Sequence, residues 1–113
     1  MPVRVLIDEC LPRTLKGELP GYEAKTVPEM GWAGKKNGEL LTLMSGNFDV
    51  FVTADQNVEY QQNLKAASVA VAVLVARTNR LVDLRPLMPK LIEALGTVQT
   101  GDIVHISTEN DGD

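Results

Sequence analysis

The sequence predicts an α/β fold, a three-layer α/β/α sandwich built on a mostly parallel five-stranded sheet. Strand-length apolar runs alternate with segments of helical period, a pattern typical of parallel strands joined by right-handed crossovers. Some runs are apolar throughout, such as "VAVAVLVA" at 69–76, as expected of strands buried on both faces. With 113 residues, 44% of them hydrophobic, the chain has the size of one domain with one core.

Five segments have the length and the β-branched composition of strands. "VRVLI" runs directly into the acidic pair "DE", and "DVFVT" runs into an alanine and an aspartate. "YEAKTV" and "DIVHIS" alternate apolar and polar residues, which favours strands with one exposed face. The predicted strands are residues 3–7, 22–27, 49–53, 68–76 and 102–107.

Helical spacing is clearest after the first strand. Leu11, Leu15 and Leu19 follow one another at intervals of four, which places them on one helical stripe, and Pro12 is tolerated in a first turn. The later segments are a short helix at 38–46, a Leu-rich helix at 81–96, a glycine-punctuated connection at 28–38, and a polar turn or short helix at 56–67.

Composition and charge indicate the number of domains and the location of the protein. We expect one domain over residues 1–108, followed by an acidic flexible tail at 109–113 that carries three of the acids behind the net charge of −4. The apolar runs are shorter than the ~20 residues of a membrane span, and the opening residues lack the pattern of a signal peptide. A lone Cys10 excludes an internal disulfide. These features predict a cytoplasmic protein with no membrane partner.

Carboxylates follow two predicted strands. Asp8 and Glu9 end the first strand, Asp55 ends the third, and Glu39 opens the helix before the third. Ligands of open parallel sheets bind beyond the carboxyl ends of the strands. The sequence therefore predicts that these acids share one edge of the sheet.

Clustered carboxylates raise one another's pKa unless a cation neutralises them, and hard oxygen ligands suit Mg²⁺ or Mn²⁺. Such an ion can activate water for phosphodiester cleavage. The alternative is that each acid has a separate local role, with Asp8 and Asp55 as helix N-caps and Glu39 beside a helix N-terminus.

Three segments in this order, "VLIDECLPRTL", "GWAGKKNGELL" and "DVFVTADQN", resemble the PIN-like domains, in particular small bacterial PIN-like proteins of unknown function related to toxin–antitoxin ribonucleases. The similarity covers about residues 3–107. It implies a metal-dependent endoribonuclease acting on single-stranded RNA, with Asp8, Glu39 and Asp55 as catalytic metal ligands. Where PIN nucleases usually have a fourth acid, this chain has Asn57, whose amide oxygen can also coordinate.

The residues near the acids suggest substrate contacts, and the family resemblance suggests partners. We expect Arg13 and Lys36 to position phosphates, and Asn37 and Gln61 to contact the substrate. A toxin would have an antitoxin protein that covers the acidic edge. Self-association is a further expectation, with the Leu-rich segment at 81–95 as its apolar face.

Two other functions stay open at this stage. The chain could be a PIN-like RNA-binding or partner-binding protein without catalysis. It could also be a phosphoacceptor receiver domain, with Asp55 phosphorylated and Asp8 and Glu9 holding Mg²⁺, although no lysine follows the fifth strand to pair with the phosphoryl group.

Overall fold

The predicted strands form one parallel sheet in the computed structural model, which describes residues 3–55 and 68–108. Neighbouring strands pair in parallel throughout, in the order β2-β1-β3-β4-β5. This arrangement confirms the predicted α/β class. The strands are β1 (Arg4–Ile7), β2 (Glu23–Thr26), β3 (Val50–Thr53), β4 (Ala70–Val75) and β5 (Ile103–Ser107).

The described helices are short. The first predicted helix is a 3₁₀ helix, Arg13–Glu18, which begins after Pro12. The Leu-rich segment is divided into α2 (Leu81–Leu84), a 3₁₀ turn (Arg85–Leu87) and α3 (Met88–Leu95), because prolines at 86 and 89 remove backbone donors. The remaining helix is α1 (Asn37–Met44), and none of these helices is long and apolar enough to span a membrane.

Two apolar clusters cover the two faces of the sheet. Successive β1 residues alternate between them, with Val5 and Ile7 in one cluster and Leu6 in the other. The first cluster contains leucines of the 3₁₀ helix, α2 and α3, and the second contains leucines of α1. Helices therefore pack on both faces, which gives the three layers that the sequence predicts.

The Leu-rich segment uses its apolar face inside this core. Leu84, Leu87, Leu91 and Leu95 are all buried against the sheet. The face on which self-association was expected is therefore not open to a second copy. Of the large hydrophobic side chains in the described residues, Val82 is the exposed one, at 63%.

The order of the strands positions the functional edge. The connection from β1 to β2 packs its 3₁₀ helix on one face, and the connection from β2 to β3 packs α1 on the other. In the strand order, β1 is followed by β2 on one side and β3 is followed by β4 on the other, so the chain leaves these two neighbouring strands in opposite directions. A crevice opens at their carboxyl ends, at the switch point where such sheets bind ligands.

The two outer strands differ in their exposed side chains. β2 forms one border of the sheet and carries exposed Glu23 and Lys25. β5 forms the other border and has an exposed His105 between partly or fully buried neighbours. The predicted segment at 56–67 and the tail at 109–113 lie outside the described residues.

An ion pair joins β1 to β3 at the opposite, amino end. Asp49 accepts hydrogen bonds from the backbone N–H of Arg4 at 2.8 Å and from its guanidinium at 3.3 Å. Burial acts to raise the pKa of Asp49, but these hydrogen bonds and the charge of Arg4 outweigh burial and lower it. The ionised carboxylate is therefore favoured by folding.

We expect Asp49→Asn to lower the urea midpoint of unfolding near neutral pH. Because the folded-state pKa of Asp49 is depressed, its contribution is complete above the ordinary value of 3.8 and is lost as the pH falls through the lower folded value. The wild type and the variant should therefore converge in strongly acidic solution. A midpoint difference that stays constant across this pH range would contradict the role of the Asp49 charge.

Candidate active site

A cleft of about 1000 Å³ lies at the carboxyl edge of the sheet. Its carboxylates come from the residues that follow β1 and β3 and from α1. The two lysines at its border precede α1, and one amide comes from the loop after β4. The charged and amide residues along the cleft are Asp8, Glu9, Lys35, Lys36, Glu39, Asp55 and Asn79.

Asp8 is the most buried of these carboxylates, with 8% of its surface exposed. Its backbone N–H extends the β1–β3 ladder by donating to the Val52 carbonyl at 2.9 Å. The fully buried Thr53 donates its hydroxyl to Asp8 Oδ2 at 2.6 Å, and Glu9 donates its backbone N–H to Oδ1 at 2.8 Å. Each carboxylate oxygen thus has a donor that offsets the cost of burial.

Thr53 also holds the backbone of Asp55, two residues further along the chain. Its hydroxyl oxygen accepts the backbone N–H of Asp55 at 3.0 Å while donating to Asp8. One hydroxyl therefore links the acid after β1 with the acid after β3. The sequence motif "TAD" has a physical reason here, since the threonine supplies the group between the two aspartates.

Cys10 lies beside this pair. Its sulfur is 3.5 Å from Asp8 Oδ2 and 3.9 Å from Thr53 Oγ1. The residue is exposed as a whole, yet desolvation of its thiol and the nearby Asp8 charge raise the pKa of Cys10, against hydrogen bonds that lower it. The thiol therefore stays protonated near neutral pH and acts as a weak donor to Asp8.

Glu9 ties the end of β1 to the loop that precedes α1. Its Oε1 accepts the backbone N–H of Gly34 at 2.7 Å. Gly34 has a φ of +85°, a conformation that side chains with a Cβ rarely adopt. Glu9 is therefore occupied by the loop that carries Lys35 and Lys36 to the cleft.

Glu39 lies in the first turn of α1 and forms an ion pair with Lys35 at 3.5 Å. Its side chain is 58% exposed, so this pair is weak and the carboxylate can change rotamer. Within the described residues, no three His, Cys, Asp or Glu side chains are grouped closely enough to hold a metal ion. The structure thus brings Asp8, Glu39 and Asp55 to one cleft without gathering them at one point.

The other predicted site residues lie at different places in the chain, and some lie outside the residues that the structure describes. Lys36 lines the acidic cleft, and its role as a phosphate contact stays a prediction. Arg13 instead lines a second cleft of about 870 Å³, together with the ion-paired Lys16 and Glu29. Asn37 is the first residue of α1, whereas Asn57 and Gln61 lie outside the described residues.

Asn79 lines the cleft and is absent from the site residues predicted from the sequence. It lies in the loop after β4, the strand that pairs with β3 in the sheet. The sequence signal was the same as for the acids, a polar residue soon after a buried strand. It is weaker because three residues separate Asn79 from the end of β4.

Comparison with protein families, curated proteins and solved structures finds no match for the chain. The resemblance to the PIN-like domains therefore depends on the quoted sequence segments.

We expect Thr53→Val to lower the free energy of unfolding by about 1.5–3 kcal/mol, because it removes hydrogen bonds to a buried carboxylate and to a backbone N–H. Thr53→Ser keeps the hydroxyl and should lose only about 0.8 kcal/mol for the missing methyl group. Urea unfolding of both variants measures the difference. A serine variant that is no more stable than the valine variant would show that the hydroxyl is not what holds Asp8.

Proposed function

We propose that this protein is a divalent-metal-dependent endoribonuclease of PIN-like type that acts on single-stranded RNA. The observation that carries the proposal is that Asp8, Glu39 and Asp55, from three separate segments, line one cleft at the switch point of the sheet. The resemblance assigns metal binding to the same three residues. An acidic cleft of this kind is open to solvent-borne cations and to a flexible strand.

The donor chemistry fits Mg²⁺ or Mn²⁺, since all three side chains offer carboxylate oxygens. Asp8 and Asp55 follow neighbouring strands, and Thr53 bonds both the Asp8 carboxylate and the Asp55 backbone N–H, so these two residues form the sheet-borne part of the donor set. Glu39 would complete it by exchanging its exposed ion pair with Lys35 for the ion. A bound ion would supply an activated water and neutralise charge on the scissile phosphate.

The residues of the chain then have distinct tasks. Thr53 and the backbone N–H of Glu9 orient the two oxygens of Asp8. Glu9 holds the Gly34 loop in place, and that loop presents Lys36 to substrate phosphates. Lys35, once released from Glu39, would be a second phosphate contact. If the protein is a toxin, its antitoxin would cover this cleft.

A receiver-type signalling domain is the second candidate, and the strand order favours it. The order β2-β1-β3-β4-β5 is that of doubly wound sheets that include receiver domains. Asp55 would be the phosphoacceptor, but no lysine or arginine follows Lys90 in the sequence to pair with a phosphoryl group after β5. Beryllofluoride binding tests this function, since a receiver would bind it in a manner that depends on Asp55.

We expect Asp55→Asn to weaken Mn²⁺ binding at least about tenfold in calorimetry, because metal affinity depends on the charge of the ligands. The same substitution should abolish Mn²⁺-dependent cleavage of single-stranded RNA. Asp49→Asn is the matched control, since it neutralises an aspartate at the opposite end of β3 and should change neither property.

The outcomes separate the candidate functions. Metal binding that is lost in Asp55→Asn, together with cleavage by the wild type, would support the nuclease. Metal binding without cleavage would favour a catalytically inactive PIN-like protein that binds RNA or a partner. A wild type that binds no metal at millimolar concentration would overturn the proposal.

A further inference from the structure

We infer that Arg77 and Arg80, in the loop between β4 and α2, bind the phosphates of the substrate strand and form the second wall of the acidic cleft. The inference rests on the proposed function for the identity of the strand as RNA. It concerns residues outside the acid set and outside the substrate contacts predicted from the sequence. Four observations support it.

The first observation is the position of the loop. Residues 76–80, "ARTNR", are all exposed and directly follow the buried strand β4. Asn79 lines the acidic cleft, and Arg77 and Arg80 flank it in the chain. The loop thus stands at the border of the cleft with one arginine on each side of its cleft residue.

The second observation is the charge of the cleft itself. It is lined by four carboxylates and two lysines, a formal charge of −2. A divalent cation would bring this charge only to zero, which gives no net attraction for a polyanion. Single-stranded RNA binds largely by neutralising phosphates with lysine and arginine, so positive charge at the border of the cleft would favour its binding.

The third observation is that the two arginines are available. Arg4, Lys16, Lys35 and Arg85 each form an ion pair with a carboxylate. In the described part of the chain, neither Arg77 nor Arg80 has such a pair. Exposed guanidinium groups without a carboxylate partner suit phosphate binding, because their donors match phosphate oxygens in a bidentate manner.

The fourth observation is that the loop is held by other residues. The Thr78 hydroxyl donates to Asp83 Oδ2 in α2 and accepts the backbone N–H of Arg80 at 3.1 Å. The conformation of the loop therefore depends on Thr78 and Asp83 and not on the guanidinium groups. Substituting the arginines should change the surface charge and leave the loop in place.

The segment that contains Lys36 forms the first wall of the cleft, and its position indicates the path of the RNA strand across the sheet. Gly34 donates to Glu9, so the segment with Lys36 lies beside the end of β1, whereas the arginine loop follows β4 on the other side of β3. β1 and β4 are two strand spacings apart, about 10 Å. A strand bound by both walls would pass over the carboxyl ends of β1 and β3, where Asp8 and Asp55 lie.

The test measures binding of a fluorescein-labelled single-stranded RNA by fluorescence anisotropy over a range of salt concentrations. Ca²⁺ replaces the activating ion so that the strand stays intact. The variants are the double substitution Arg77→Gln with Arg80→Gln, and the control Arg85→Gln, whose arginine is ion-paired with Glu18 across the 3₁₀ helices. Cleavage rates are measured separately with Mg²⁺ or Mn²⁺.

We expect the double variant to bind about 20-fold more weakly at 0.1 M salt, and its slope of log affinity against log salt to fall by about 1.4, for two lost phosphate contacts. The difference should vanish near 1 M salt. In cleavage, KM should rise while kcat changes little, because the arginines bind the strand away from the reacting phosphate. Arg85→Gln should match the wild type in all of these properties.

A double variant with the affinity and salt slope of the wild type would overturn the inference, as would an equal loss in Arg85→Gln or a wild type that binds no RNA. If the wild type cleaves RNA and the double variant binds RNA as the wild type does, the nuclease proposal would be retained and the role of the two arginines would be rejected. Arginine-dependent binding by a wild type that cleaves nothing would overturn the nuclease and support the RNA-binding wall.

Discussion

The hydrogen bond from the Thr53 hydroxyl to the Asp8 carboxylate is the contact on which the architecture of the site depends. It crosses from β3 to β1 at the point where the chain turns away from the sheet in opposite directions. A carboxylate this deep is tolerated only because each of its oxygens has a donor. The same hydroxyl accepts the Asp55 N–H, so the two strand ends have one fixed relative position.

The acidic side chains around this contact differ in how firmly they are held. Glu9 accepts a hydrogen bond from the Gly34 backbone, Glu39 pairs with Lys35, and the Asp8 carboxylate is held by Thr53. Glu39 differs from Asp8 because its ion pair with Lys35 is exposed and therefore weak. The cleft is therefore partly preorganised. The Asp8 carboxylate is held in one position, whereas the exposed Glu39 side chain on α1 can change rotamer.

The fold could be predicted from the sequence because its evidence is local. The apolar run that became β4 and the "DE" after β1 mark strand ends without reference to the rest of the chain. The site could be predicted only in part. That Asp8, Glu39 and Asp55 share an edge follows from topology, but the Lys35–Glu39 pair depends on rotamers. That Arg13 faces a different cleft depends on how the 3₁₀ helix packs, which periodicity does not encode.

The two border strands of the sheet differ in how strongly their side chains oppose pairing with a further strand. An outer strand offers unpaired N–H and C=O groups to any extended chain that it meets, and charged side chains on a short strand oppose such pairing. β2 has four residues, with exposed charges of opposite sign at Glu23 and Lys25, so a strand added there would meet unmatched charge. β5 has five residues and only a histidine exposed among its apolar neighbours. The charged side chains of β2 therefore oppose the addition of a further strand more strongly than the side chains of β5 do.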